Sequence, residues 1–187
     1  MRRHVLTWLL TAALLACAWM VSKAALPDSS TIEAFPATAQ IGEETGARNL
    51  VVTVTDARIA SRVSDAAGWT ADGNWLVIDL EAAGAGEHGP SALSLAELTI
   101  GERTFSATER GTTFARQVLV TGVPRSGSLA FELPDDETRE TGVLRLGIPT
   151  GARGEVLLDG VIDLPLDLST LPVSSEIVLD ENGWARR

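Results

Sequence analysis

From Asn49 onward, apolar residues of this chain return at every second position in short runs spaced near ten residues, with glycine and proline between them. A period of two belongs to strands, whose side chains alternate between two faces. Asn49–Ile59 sends Leu50, Val52 and Val54 one way and Val51, Thr53 and Thr55 the other. Ser128–Leu133 alternates in the same way, with Leu129, Phe131 and Leu133 directed inward. Val143–Ile148 gathers Leu144, Leu146 and Ile148 on one face, and Val156–Leu168 gathers Ile162, Leu164, Leu166 and Leu168.

Other runs qualify this pattern. After the Asp72-Gly73 turn signal, Asn74–Glu81 carries Trp75, Leu76, Val77 and Ile78, apolar on both faces as in a central strand. Leu93–Ile100 leads through Gly101-Glu102 into Arg103–Ala107 around Phe105, and Arg116–Val123 carries Val118 and Val120. Ala82–Ala92 reads as a Gly-rich loop. Pro165 cannot donate to a ladder, so its strand is expected at a sheet edge. Glu176–Asp180 reads as a possible last strand. No stretch of the body holds a 3.6-residue period and no repeat is visible, so the expected class is all-β. Eight or nine short strands would form one antiparallel sandwich over residues 47–181, with 182–187 as a tail.

The first 25 residues have a different character. Arg2, Arg3 and His4 precede an uncharged run of 17 residues, Val5–Val21, and Lys23 follows it. As a helix this run spans about 25 Å, slightly less than a hydrocarbon core of about 30 Å. Its five leucines favour insertion by roughly 2–3 kcal/mol together, with Trp8 and Trp19 near the two ends where aromatic belts lie. The arginines favour a cytoplasmic N-terminus, which places the body outside. Three fates stay open for residues 1–25: an uncleaved single-pass anchor over residues 5–21, a signal peptide cut after Ala24 behind Ser22-Lys23-Ala24, and lipidation at Cys17. Leu14-Leu15-Ala16-Cys17 resembles the bacterial lipobox, but the apolar Ala18–Val21 follows where a lipoprotein tether is polar. Residues 26–46 are small, polar and contain Pro27 and Pro36, and read as a linker.

Charge narrows the partners. All 25 acidic residues lie beyond residue 25, against 12 of the 15 basic ones, so the body carries a net charge of −13. That argues against nucleic acid and against docking on anionic lipid. Lys23 is the only lysine, an arginine bias consistent with high-GC codon usage. The body has no cysteine, which excludes a disulfide and any Cys-based metal site there.

The order of segments resembles a family of bacterial extracellular immunoglobulin-like domains of unknown function, whose fold is shared with a small secreted antigen of mycobacteria. The matching segments are Leu50–Thr55, then Gly73–Leu80, then Gly101–Phe105 around a glycine turn, then Ser126–Pro134. They cover about residues 47–150. The Gly/Ala-rich Ala82–Ala92 stands where relatives often carry an asparagine-rich turn. The resemblance implies an immunoglobulin-like antiparallel β-sandwich behind an N-terminal hydrophobic helix, in a surface or envelope role without known catalysis. It transfers no functional residue.

The candidate chemistry is sparse. His88, the body's only histidine, lies in a loop beside Ser91, without a nucleophile and orienting carboxylate at fixed positions. Asp159, Asp163 and Asp167 recur every fourth residue, but on a strand only the last two share a face. Asp135, Asp136 and Glu137, and also Asp180 and Glu181, cluster at strand ends without EF-hand spacing. Gly151–Gly154 lacks the lysine of a phosphate loop. Trp75 reads as core, while Trp69 and Trp184 sit among polar neighbours where an exposed indole can anchor a partner. No catalytic, cofactor or metal residue is assigned. The expectation is a membrane-tethered or exported, non-enzymatic interaction or structural module of the cell envelope that meets a protein partner. An exported ligand- or cation-binding domain is the alternative.

Overall fold

The computed structural model describes residues 7–8, 11, 13–17, 19–20, 35–86, 89–134, 140–150 and 157–185. Two compact units result, Met1–Glu33 and Ala34–Arg187. In the first, the described residues are helical and exposed, and the Thr11 hydroxyl donates to the Thr7 carbonyl at 3.0 Å, one turn back. Among the described residues no helix is long and apolar enough to cross a membrane. The span expected over Val5–Val21 is described only in pieces, so this does not test it.

The second unit is all-β. Its described strands are β1 (Phe35–Thr38), β2 (Glu44–Gly46), β3 (Leu50–Ser64), β4 (Thr70–Gly84), β5 (Ser91–Ala92), β6 (Leu95–Ile100), β7 (Arg103–Ser106), β8 (Val118–Leu119), β9 (Arg125–Leu133), β10 (Thr141–Thr150), β11 (Leu157–Asp167), β12 (Val173–Ser174), β13 (Ile177–Val178) and β14 (Gly183–Trp184). One sheet runs β1-β11-β10-β6-β7. The other runs β12-β3-β4-β9-β14, with β2 and β13 also on β3, and β5 pairs with β8 in a small ribbon. Most pairs are antiparallel; β1 on β11, and β12 and β13 on β3, are parallel.

The main core lies between the two large sheets. Leu76, Ile78 and Leu80 of β4 and Leu129, Phe131 and Leu133 of β9 meet Leu98 and Ile100, Leu144 and Leu146, and Ile162 and Leu164 from the opposite sheet. Each of these alternations follows the sequence pattern. In β3 the inward positions are Leu50, Val52 and Val54, then Ala57 and Ile59. The register shifts between Val54 and Asp56, so a bulge inserts one residue and keeps the apolar side facing in.

A second, smaller core forms on the outer face of the β3-β4-β9 sheet. There Ala60, Val63, Trp75, Val77 and Ala130 pack under Ile177 and Leu179, which come from the C-terminal segment. That segment passes from the β3 edge, where Ile177 aligns with Val63, to the far edge, where Gly183 aligns with Ser126 of β9. It acts as a strap and makes a third layer. The two-faced apolar character of Asn74–Glu81 has this cause: β4 is covered on both sides.

Several sequence expectations change. Residues 26–46, read as a linker, contribute β1 and β2, and the tail 182–187 contributes β14. The described β-unit thus extends beyond 47–181 at both ends, because short paired segments there cover strand edges. Ala82–Ala92 is not loop throughout, since β4 continues to Gly84 and β5 occupies Ser91–Ala92. In Arg116–Val123 the buried residue is Leu119, while Val118 and Val120 are exposed. β11 is not an edge strand along its whole length, because β1 pairs with Gly160–Asp163. Pro165 falls just past that pairing, where a missing N–H removes no described ladder bond.

Candidate functional site

The strap is fixed by polar contacts at both ends and in the middle. The Pro172 carbonyl accepts from the Ile59 N–H at 2.8 Å, and the Ser64 carbonyl from the Leu179 N–H at 2.8 Å. In the middle, Asp180 N–H donates to the Ser128 hydroxyl at 2.9 Å, which in turn donates to Asp79 Oδ1 at 2.6 Å. Ser128 and Asp79 are buried. Arg58 pairs with Asp79 and, through Nε at 3.0 Å, with Asp56. A buried carboxylate is costly unless paired and hydrogen-bonded, and Asp79 has both kinds of partner. At the far end Asn182 Nδ2 donates to the Thr113 carbonyl at 2.8 Å.

Gly127 permits this crossing. A Cβ there would lie 2.3 Å from Asn182 Oδ1 and 2.6 Å from the Phe114 ring. Only a residue without a side chain lets strand β9, the strap and Phe114 approach this closely.

The strap covers only part of the outer face. Beside it lies a groove of about 600 Å³ lined by Thr55, Asp79, Glu81, Ser126, Asp180, Glu181 and Trp184, among others. Glu81 also borders a second hollow of about 290 Å³ lined by Glu44, Val51, Thr53, Ala83 and Pro124. Trp184 stands at the rim, 69% exposed. The Arg125 guanidinium lies over its ring at 5.4 Å from the centroid. The surface offers one large aromatic, several carboxylate acceptors and a floor of small side chains. Such a surface can hold a partner's side chains, but it presents no nucleophile paired with a base among the described residues.

A second polar knot sits at the opposite end of β3. Asp65 accepts from the Trp69 N–H at 2.8 Å and from Thr112, through its N–H at 2.8 Å and its hydroxyl at 3.1 Å. Burial pushes the Asp65 carboxyl up, but hydrogen bonds from Trp69, Thr112 and Ala67 outweigh it and hold the pKa below the ordinary value. This knot joins the β3–β4 turn to the 110–113 loop. It also positions Trp69, which meets Trp75 edge-on at 6.0 Å.

The remaining sequence candidates disperse. Asp163 forms a two-pronged pair with Arg145 on the neighbouring strand, both contacts at 2.8 Å. Asp167 caps the 3-10 turn Leu168–Thr170, accepting from the Ser169 N–H at 3.1 Å. Asp180 and Glu181 line the groove. His88, Asp135, Asp136, Glu137 and Gly151–Gly154 lie outside the described residues. Among the described residues no group of three or more His, Cys, Asp or Glu side chains converges as a metal site. Of the tryptophans, Trp75 is buried, Trp69 half-buried and Trp184 exposed. The exposure of Trp184 was signalled only by its polar neighbours; the groove beside it had no local signal.

Comparison with known proteins adds little. No family model matches the chain. No curated protein matches it either. A solved structure from Staphylococcus aureus, described as a putative lipoprotein, aligns with a TM-score of 0.44 at 10% identity. The alignment covers 74% of this chain and 97% of that one.

Proposed function

We propose that this chain is a non-enzymatic interaction module of the bacterial cell envelope, an immunoglobulin-like sandwich tethered outside the membrane by residues 5–21. The strand order supports the immunoglobulin-like reading. A β3-β4-β9 sheet faces a β11-β10-β6-β7 sheet, and an N-terminal strand lies parallel to the last long strand. The tether rests on the charged–apolar–charged layout of residues 2–23. Cleavage after Ala24 and lipidation at Cys17 remain its alternatives. The non-enzymatic part rests on composition, since the body has one histidine and no cysteine.

The observation that carries the proposal is the half-covered face of the β3-β4-β9 sheet. The strap seals one half, while the other half stays open as a groove with Trp184 exposed at its rim. Large aromatics beside recessed surfaces are the usual anchors of protein interfaces. The test is a crosslinking pull-down from envelope fractions with the membrane-embedded full chain, run beside Trp184→Ala. One dominant partner, depleted in Trp184→Ala, supports the proposal. Absence of any dominant partner contradicts it.

The groove itself, with the acidic lining of Glu81, Asp180 and Glu181 that does not converge as a metal site, supports a second reading, an exported ligand- or cation-binding domain. A melting-temperature rise of several degrees with calcium over EDTA supports that reading, and no shift contradicts it.

A further inference from the structure

One row of positions crosses the open half of the outer β3-β4-β9 face from edge to edge. Glu44 of β2 aligns with Thr53 of β3, Thr53 with Glu81 of β4, Glu81 with Ser126 of β9, and Ser126 with Gly183 of β14. Residues directly opposite each other in a ladder share a face. Glu44 and Glu81 therefore stand on the same side, over a floor of short side chains. They lie two strand spacings apart, about 10 Å. Asp180 and Glu181 of the strap wall the groove that Glu81 lines.

Charge sets this strip apart from the rest of the domain. Arg62, Arg116 and Arg145 pair with carboxylates elsewhere, and Arg58 neutralises Asp79. The side chains of Glu44, Glu81, Asp180 and Glu181 have no ion-pair partner among the described residues. No basic residue lines either hollow. Unpaired carboxylates along a recess favour a positively charged occupant. The strap shows the conformation that suits this face, since it lies extended across the same sheet and donates its own N–H groups to Ser64 and Ser128. The chain's linker does not match these demands, because residues 26–34 hold Asp28 and Glu33 and no basic residue. A second copy does not match either, because its body brings a net charge of −13 to an acidic strip.

We propose that the open strip docks an extended segment of a partner protein with lysine or arginine at every second position. This rests on the reading of the face as a docking surface and adds the chemistry of what docks there. Alternate residues of an extended segment recur on one side about every 7 Å. Long basic side chains at that spacing reach Glu44, Glu81 and the Asp180–Glu181 wall together.

Fluorescence anisotropy with labelled peptides about nine residues long, long enough to cross the sheet, tests this on the full chain in detergent micelles. An alternating Lys-Thr peptide should bind, and its binding should weaken with added salt. Alternating Gln-Thr and Glu-Thr peptides should not bind. Glu44→Gln and Glu81→Gln should each lower the affinity about two- to fivefold with the melting temperature unchanged. Glu102→Gln, at an exposed position in the β6–β7 turn, should leave the affinity as it was. Equal binding of the Lys-Thr and Gln-Thr peptides, or an equal loss from Glu102→Gln, overturns the proposal and leaves the docking role of the face standing. No binding of the Lys-Thr peptide overturns it as well, and so does equally tight binding of spermidine at the same residues. Binding that emerges only once Arg186 and Arg187 are replaced by alanine assigns the groove to the chain's own end and also overturns it. Failure of the docking reading itself is a different result, the absence of any dominant partner in the pull-down.

Discussion

The outer faces of the two sheets solve the same problem in opposite ways. On the β11-β10-β6 sheet the outward row Asp163, Arg145 and Glu97 aligns across three strands, and charge keeps that face compatible with water. On the β3-β4-β9 sheet the rows Ala60–Trp75–Glu132 and Arg58–Val77–Ala130 leave an apolar patch of Ala60, Trp75, Val77 and Ala130, and the chain brings its own C-terminal strap to cover that patch. The charged face is left bare and the apolar patch is covered, and the strap stops short of covering all of the second face. The remaining open strip, with Trp184 at its rim, is where we propose that a partner docks.

The sharpest way to break the comparison is to remove the cover. Deleting residues 172–187 exposes Trp75, Val77 and Ala130 and removes Ile177 and Leu179. Burying each large aliphatic side chain is worth about 1.5–3 kcal/mol, so the deletion should produce loss of cooperative melting or aggregation. Single substitutions grade the effect. Ile177→Ala and Leu179→Ala should each cost about 2–4 kcal/mol in denaturant unfolding. Val178→Ala, on the same strap but 60% exposed, should stay within about 0.5 kcal/mol. Equal costs at Ile177 and Val178 would mean the strap is not the cover.

The polar face should be far more tolerant. A double-mutant cycle on Arg145 and Asp163 should return a coupling of about 0.2–1 kcal/mol, falling with added salt. The Asp65 knot gives a pH signature. Its pKa is held low in the folded state, so its contribution is full above the unfolded value near 3.9 and is lost as pH falls through the lower folded value. Asp65→Asn should therefore lower the melting temperature at pH 7, and the gap to the unaltered protein should narrow as the solution is acidified below the ordinary carboxylate range.

The inner faces of the long strands were legible because alternation over six or more residues leaves little choice of side. Leu129, Phe131 and Leu133, and Ile162, Leu164 and Leu166, lie in the core as their spacing implied. The two-faced run Trp75–Ile78 read as a central strand, and its second apolar face is the one the strap covers. The strap itself had no clear signal, since Ile177 and Leu179 repeat only once before polar residues resume. Strands such as β12, β13 and β14 hold two residues each, too few to carry a period. β1 and β2 were hidden in a segment whose composition reads as linker, because their strand character comes from the edges they pair with. The groove has no local signature either, since its lining comes from β3, β4, β9 and the strap, far apart in the chain.

The most direct test of the account is site-specific photocrosslinking in living cells. A photoreactive phenylalanine analogue replaces Trp184 or Glu81 in the open strip, and in separate strains Val143 or Thr99 on the polar sheet. The account predicts one envelope partner trapped from Trp184 and Glu81 and none from the other two. Trapping from Val143 and Thr99 instead, or equally from all four, would contradict it.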